Sequence, residues 1–403
     1  DAKREFAAAV KSFEAAAAEG HSDAEVYEGL AEAWVRQIEM AVAKELPTDE
    51  AYAAAVAASD KITAAEPGSV SGALKKAFAA MLTLQVLTYG PSASERVRKC
   101  LSAAAEVLSK QPGHPYASDA NCNCYFFAAE VARQHGEDPI PNLQMGRKQL
   151  EPVIAQYPYF LWGINDLGSI ISVIGNQQQL HGDENAKESL KSSLRYYAKS
   201  ASLDSGYISA PLNSMMAEYS LIMECKSDDE LSMELRKADR YFSDCISINS
   251  QEQRCFNNYF QVYARAAQRT FLGGLDAQPR IQRALQHLVL TRQLGPKLQD
   301  AEGHAAMTYL VQARDLLRKR LSPTAALTLL DTALADCFAL APEDVLCRTL
   351  AAQALWARAD WQAAQHLPFA ETLTAALAKA RVAAESPEIS PDAWQTLAET
   401  QLR

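Results

Sequence analysis

The sequence predicts an all-α chain, a right-handed α-solenoid (superhelix) of about eight helix pairs with a period of about 46 residues. Three observations carry that prediction. Prolines at 67, 112 and 158 and again at 296, 342 and 387 fall on a ruler of 45–46 residues, and the gap of 138 between the two runs is three periods. Gly90, Gly136, Gly182 and Gly274 each lie 21–22 residues before one of these punctuation points. Between the marks, apolar residues recur at i, i+3, i+4 and i+7: Phe6, Ala9, Val10, Phe13, Ala16 and Ala17, or Ala326, Leu330, Ala333, Leu334, Cys337 and Phe338.

Each mark has a local reason. A glycine tolerates the left-handed backbone that ends a helix. YGPSAS, HGEDPIP, HGDENA and GGLDAQP then place Asp, Ser or Pro where the next helix begins. Each period therefore holds two helices, A before the glycine and B after it. Two prolines are missing from the ruler, near 203–204 and 249–250. SLDSG and INSQEQ stand there instead, and EGH at 19–21 marks one period before Pro67.

Repeat boundaries are thus expected near 21, 67, 112, 158, 203, 249, 296, 342 and 387, within a single array over 1–403. B helices are predicted near 2–18, 49–65, 93–110, 141–156, 184–201, 229–247, 278–294, 323–340 and 366–385. A helices are predicted near 24–44, 70–89, 116–135, 160–180, 207–225, 252–271, 300–319 and 343–359, with a last one opening at PDAWQTLAETQLR. No Asn-Gly or Asp-Gly occurs, and alternating apolar runs are absent, so strands are not expected.

Composition narrows the function. The net charge of −10 and the absence of a basic run beyond RKR at 318–320 argue against nucleic acid and anionic membranes as partners. The longest apolar stretch, LGSIISVIG at 167–175, is far short of the ~18 residues of a membrane span. DAKREFAAAV begins inside a helical pattern at Asp1 with no leader, so the chain reads as a piece of something longer. The eight cysteines read as reduced, buried thiols, which points to a cytoplasmic location.

The small–large code resembles the tetratricopeptide repeat. Trp394, Leu397 and Ala398, like Tyr27, Leu30 and Ala31, match the start of that repeat's first helix; Ala9, Phe13, Ala16 and the turn at His21 match its second. The match degenerates along the chain: one and two periods after Ala16 stand Ile62 and Val107, which are not small. The period is also ~12 residues longer than the usual 34.

Long pairs of this kind are similar to the C-terminal tetratricopeptide tails of bacterial, myxobacterial-type serine/threonine protein kinases. HGEDPIPNL at 135–143, GLDAQPRIQRAL at 274–285, WGINDLG at 162–168, CFNNYF at 255–260 and FEAAAAEGHSDAEVYEGLAEAW at 13–34 carry the likeness. It implies a non-catalytic scaffold that binds a protein or peptide, the sensor, docking or regulatory region of such a kinase. It also implies that Asn165, Asp166, Asn257 and Asn258 line a concave peptide-binding groove. Lys and Arg do not accompany these residues, so capture of a peptide C-terminus is not expected. The kinase itself is missing: the chain has no Gly-rich phosphate loop, H-R-D or D-F-G. The rival readings are a self-association or autoinhibitory module, and a solenoid with a small-molecule or catalytic pocket.

No cofactor, metal or catalytic residue is expected. In SDANCNCYFF at 118–127, Cys122 and Cys124 point ~200° apart on a helix and cannot share a metal, even with His114 and His135 nearby. Cys245/Cys255 and Cys337/Cys347 are each ten apart, where a disulfide could close, but buried thiols are the favoured reading. His287 and His304 have no nucleophile placed by a motif, and HGDEN at 181–185 reads as a turn with a helix N-cap. The aromatic groups YPYFLW and RYY read as packing.

Overall fold

The computed structural model describes residues 2–19, 23–42, 46–86, 91–386 and 391–401. Over these it holds eighteen α-helices, one 3-10 turn and no strand. The helices are α1 (Ala2–Glu19), α2 (Ala24–Val42), α3 (Asp49–Ala65), α4 (Ser71–Leu84), α5 (Pro91–Lys110), α6 (Pro115–Gln134), α7 (Ile140–Gln156), α8 (Leu161–Leu180) and α9 (Ala186–Leu203). They continue with α10 (Ser209–Leu221), α11 (Asp228–Ile248), α12 (Gln253–Leu272), α13 (Gln278–Leu294), α14 (Gln299–Arg318), α15 (Thr324–Leu340), α16 (Val345–Ala364), α17 (Ala370–Ala384) and α18 (Pro391–Gln401). Even-numbered helices are the A helices and odd-numbered ones the B helices. The turn expected at EGH, the Gly90 mark and Pro387 lie on or against residues outside the described ones.

The A-to-B turn has one structure, used five times. Gly136, Gly182 and Gly274 adopt φ of 73°, 69° and 76°, and Arg320 and His366 adopt φ of 59° and 57° at the same place in the repeat. At each, two backbone bonds close the helix end. Glu137 N donates to Ala132 O at 2.9 Å, Leu275 N to Thr270 O at 3.1 Å, and Leu367 N to Gln362 O at 2.8 Å, each beside a shorter-range partner bond. This is the Schellman closure, which needs a left-handed residue. Asp138, Asp183 and Asp276 then accept from the backbone N–H two residues on and launch the B helix.

At the B-to-A joints, Pro67, Pro112, Pro158, Pro296 and Pro342 each follow a helix end by two residues. Where proline is missing, a side chain makes the turn. Asp204 Oδ1 accepts from Gly206 N at 2.8 Å, and Asn249 Oδ1 accepts from Gln251 N at 3.0 Å.

The chain divides into two compact units, Asp1–Ile174 and Gly175–Arg403. In the first, α2, α4 and α6 pack on their B helices α3, α5 and α7, and α2 packs on α4 and α4 on α6. Ala31, Ala55, Ala77, Ala104 and Ala120 are fully buried there, and the close approach they allow is filled by Ile38, Ile62 and Leu84. In the second unit the A helices α10, α12, α14, α16 and α18 pack in succession. Residues 301–311 of α14 are buried on every side, because Ala301, Gly303, Ala305 and Ala306 let α12, α13, α15 and α16 all close on it.

The cysteines depart from the expectation of reduced thiols. Cys100–Cys124, Cys245–Cys255 and Cys337–Cys347 are disulfides, each joining a B helix to the following A helix. Cys122 and Cys225 remain buried thiols. Antiparallel packing across the joint brings residues ten apart face to face, a geometry that spacing along one helix does not reveal.

Candidate functional site

The four residues singled out from the sequence fall into two places. Asn165 and Asp166 sit on α8 within the first unit, and Asn257 and Asn258 on α12 within the second.

Asn165 is buried at 3% exposure, and Asp166 is half-buried beside it. Asn123, on α6, donates to Asp166 Oδ2 at 2.7 Å and to Asp119 O at 3.1 Å, while Asn165 Nδ2 donates to Asp166 Oδ1 at 3.1 Å. The buried Asp119 carboxyl on α6 is near enough to that of Asp166 for their charges to interact. Burial is the main cause that pushes Asp119 well above the usual carboxylate range, and the charge of Asp166 adds to it. Burial raises Asp166 too, and the two Asn amides oppose the rise. Cys122, the free thiol, is pushed upward by the same burial and the same two acids.

Asn257 is buried at 5% exposure, with no partner for its Oδ1 among the described residues. Asn258 is half-buried, and its Nδ2 donates to Leu212 O on α10 at 3.2 Å. Further along, Tyr219 on α10 reaches His304 on α14 with 2.9 Å between Oη and Nε2, while the Arg265 guanidinium of α12 lies 4.8 Å over the Tyr219 ring. His304 Nδ1 also contacts Asp300 O at 2.7 Å. Burial drives His304 down to about 4, so it is neutral at physiological pH. His287 is likewise lowered to about 4 by burial and packs edge-on against Phe242 and Tyr259.

A pattern unseen in the sequence links these contacts. Side chains reach from one A helix to the neighbouring A helix, or to its end, across roughly one period. Asn123 meets Asp166, Asn258 meets Leu212 O, Gln299 meets Asp344, Gln353 meets Thr396 and Arg269 meets Cys225 O. The signal that would have found them is a polar residue on an A helix with a partner 43–46 positions away. On the B side of the first unit, an open cavity of about 570 Å³ is lined by Tyr52, Lys76, Glu95, Arg98, Lys99 and Glu106. Its charges are mixed, and no nucleophile–base pair is among them.

No protein-family model and no curated protein sequence matches the chain. Solved structures do share its architecture. An IFIT1 monomeric mutant with Gppp-AAAA superimposes with a TM-score of 0.52 at 9% identity, over 94% of this chain and 71% of that one. A tetratricopeptide repeat protein from Parabacteroides merdae gives 0.49 at 10% identity, over 80% of this chain and 99% of that one. The first of these shares the fold, helices packed in successive pairs. At these identities the likeness speaks of architecture alone.

Proposed function

We propose that the chain is a non-catalytic protein-interaction scaffold whose A-helix wall receives an extended segment of a partner protein. The observations that carry this lie in each unit by itself: Asp166 of α8 is half-exposed among the amides of the first, and Asn258 of α12 is half-exposed beside α10 in the second. A partner's backbone N–H and C=O groups are met by such side chains without any need for a particular sequence. Asn165 is buried and acts behind Asp166, to which it donates, while Asn257 is buried beside Asn258.

Other features agree. Among the described residues no helix is long and apolar enough to cross a membrane. The charge of −10 disfavours nucleic acid. Both nitrogens of His304 are engaged, and His287 is enclosed by aromatic rings, so neither is presented as a base to a ligand.

The same reading takes 1–403 as one array, since the 46-residue spacing from Gly136 to Gly182 runs through the unit boundary unchanged. It also takes the array as the sensor or docking region of a bacterial serine/threonine kinase, on the sequence resemblance alone. The coding sequence upstream of Asp1 tests that: a start codon within a few residues removes the kinase link.

The scaffold reading is tested with peptides selected from a random library against the full chain. Asp166→Ala should weaken peptides held by the first unit, and Asn258→Ala those held by the second, each about 5- to 10-fold, the worth of one hydrogen bond. Unchanged affinity in both variants refutes the A-helix wall as the binding face.

A further inference from the structure

We propose that this chain works in an oxidising compartment, where three disulfides staple successive helix pairs together. The inference is independent of what the A-helix wall binds, and it replaces the cytoplasmic expectation drawn from the sequence.

B helices pack antiparallel on the A helices that follow them, along a seam. Residues ten apart across the joint meet there, fully or nearly fully buried: Val107 with Ala117 and Ala383 with Ala393; Thr291 and Ala301, in the same register, are buried too. Small apolar residues suffice at this contact. Cys245 with Cys255 and Cys337 with Cys347 occupy the same register, two periods apart. The third staple keeps that register: Cys100 lies seven residues before Val107 and Cys124 seven after Ala117, two turns further along the antiparallel helices.

If these cysteines served only as small buried hydrophobes, Ala, Ser or Val opposite a lone Cys would serve equally well. Instead, every cysteine on the seam faces another cysteine, and the two off the seam, Cys122 and Cys225, are the two that stay thiols. The Cα–Cα separations of 5.9, 5.9 and 6.6 Å lie within the range a disulfide spans without backbone movement.

Cys337, Asp344 and Cys347 also lie close enough to suggest a metal. Asp344, however, already accepts from Cys347 N at 2.7 Å with Oδ1 and from Gln299 Nε2 at 2.8 Å with Oδ2. Two thiolates and a committed carboxylate fall short of a closed four-ligand site.

Chemically, each closure breaks two S–H bonds and forms one S–S bond. The two electrons and two protons pass by thiol–disulfide exchange to an oxidoreductase disulfide, which leaves as a dithiol. A glutathione-reduced cytosol runs that exchange backwards; secreted and periplasmic spaces do not. The staples also sit where a repeat array is most exposed to unravelling. Each repeat is held by its neighbours alone, and α5–α6, α11–α12 and α15–α16 are joints between repeats.

The test is thiol mapping on the full chain from the cells that make it, quenched in acid, unfolded and alkylated before reduction. The expected result is label on Cys122 and Cys225 alone, with three cross-linked peptides pairing 100 with 124, 245 with 255 and 337 with 347. Label on all eight cysteines, other pairings, or zinc released with Cys337 and Cys347 reduced, each overturns the proposal. A Cys245→Ala/Cys255→Ala double variant copies the Ala383–Ala393 seam, so it is expected to fold. It should lose one cross-linked peptide and keep the other two; loss of all three shows that the pairings are not independent native staples and also overturns it.

Discussion

Replacing Glu218 with Gln should stabilise the second unit, by an amount that grows with pH. Glu218 is fully buried on α10, and neither carboxyl oxygen meets an N–H or O–H donor among the described residues. Nearby stands the carboxyl of Glu234 on α11, which is ion-paired with Lys237. With no such donor to support its charge, Glu218 keeps the proton. Burial first, then the charge of Glu234, raises Glu218 from 4.5 to about 8 against the opposing pull of Lys237. The folded chain therefore binds a proton that the unfolded chain loses near pH 4.5. Between 4.5 and 8, stability falls as pH rises, by about 1.4 kcal/mol per unit. The accumulated cost is about 3 kcal/mol at pH 7 and about 5 kcal/mol above the folded value. Glutamine has the same shape, never ionises and can donate to Glu234. Glu218→Gln should match the parent near pH 4.5 and exceed it by about 3 kcal/mol at pH 7. Urea unfolding followed across that range, with hydrogen exchange of the α10 amides as a local readout, checks it. A difference between variant and parent that does not change with pH refutes the buried-proton argument.

Other perturbations follow from the same structure. Arg320→Gly and His366→Gly should each stabilise by about 1 kcal/mol or less, since both hold φ near +58° without being glycine, and Gly274→Ala should cost about 1 kcal/mol; thermal unfolding ranks the three. Phe260→Ala empties a fully buried site between α12 and its neighbours and should cost about 3–5 kcal/mol by chemical denaturation. Glu302→Ala strands the Arg292 guanidinium, whose fully buried partner it removes, and should cost about 3 kcal/mol, with Glu302→Gln recovering part of it.

Much of the fold was legible because it is written in local punctuation. The proline ruler and the glycine marks located helix ends within a few residues, since each residue type acts on its own backbone. Arg320 and His366 were not legible. They perform the glycine's task with an ordinary side chain, and only the ruler, not the residue, marks them. The site was less legible for a different reason. Asn165 and Asn257 stood out as polar residues on helix A, yet whether such an amide faces a ligand or the next helix depends on a partner one period away. The disulfides were legible in part: the spacing of ten marked Cys245/Cys255 and Cys337/Cys347 as able to close, with thiols favoured, while Cys100–Cys124, 24 apart, needed the antiparallel seam to appear.

The repeat is also informative where it breaks. The left-handed residue recurs 46 positions apart at 136, 182, 274, 320 and 366, with one step skipped, and the skipped step lands on Asp228. There α10 is only 13 residues long and runs into a 3-10 turn over Ile222–Glu224. Cys225 then turns extended, and its carbonyl accepts two bonds from Arg269 of α12, at 3.0 and 2.6 Å. Ser227 caps α11 in place of the usual Schellman closure. This same short helix carries Glu218, with its retained proton, and Tyr219, which bridges to His304. A chain that keeps its rule at every other described joint has little packing reason to abandon it here. Local rules tend to fail where a structure is shaped for something other than its own stability. Partner-induced changes should therefore be sought first in hydrogen exchange across 218–227. Protection confined to the regular joints, with these amides unchanged, would separate the break in the repeat from binding.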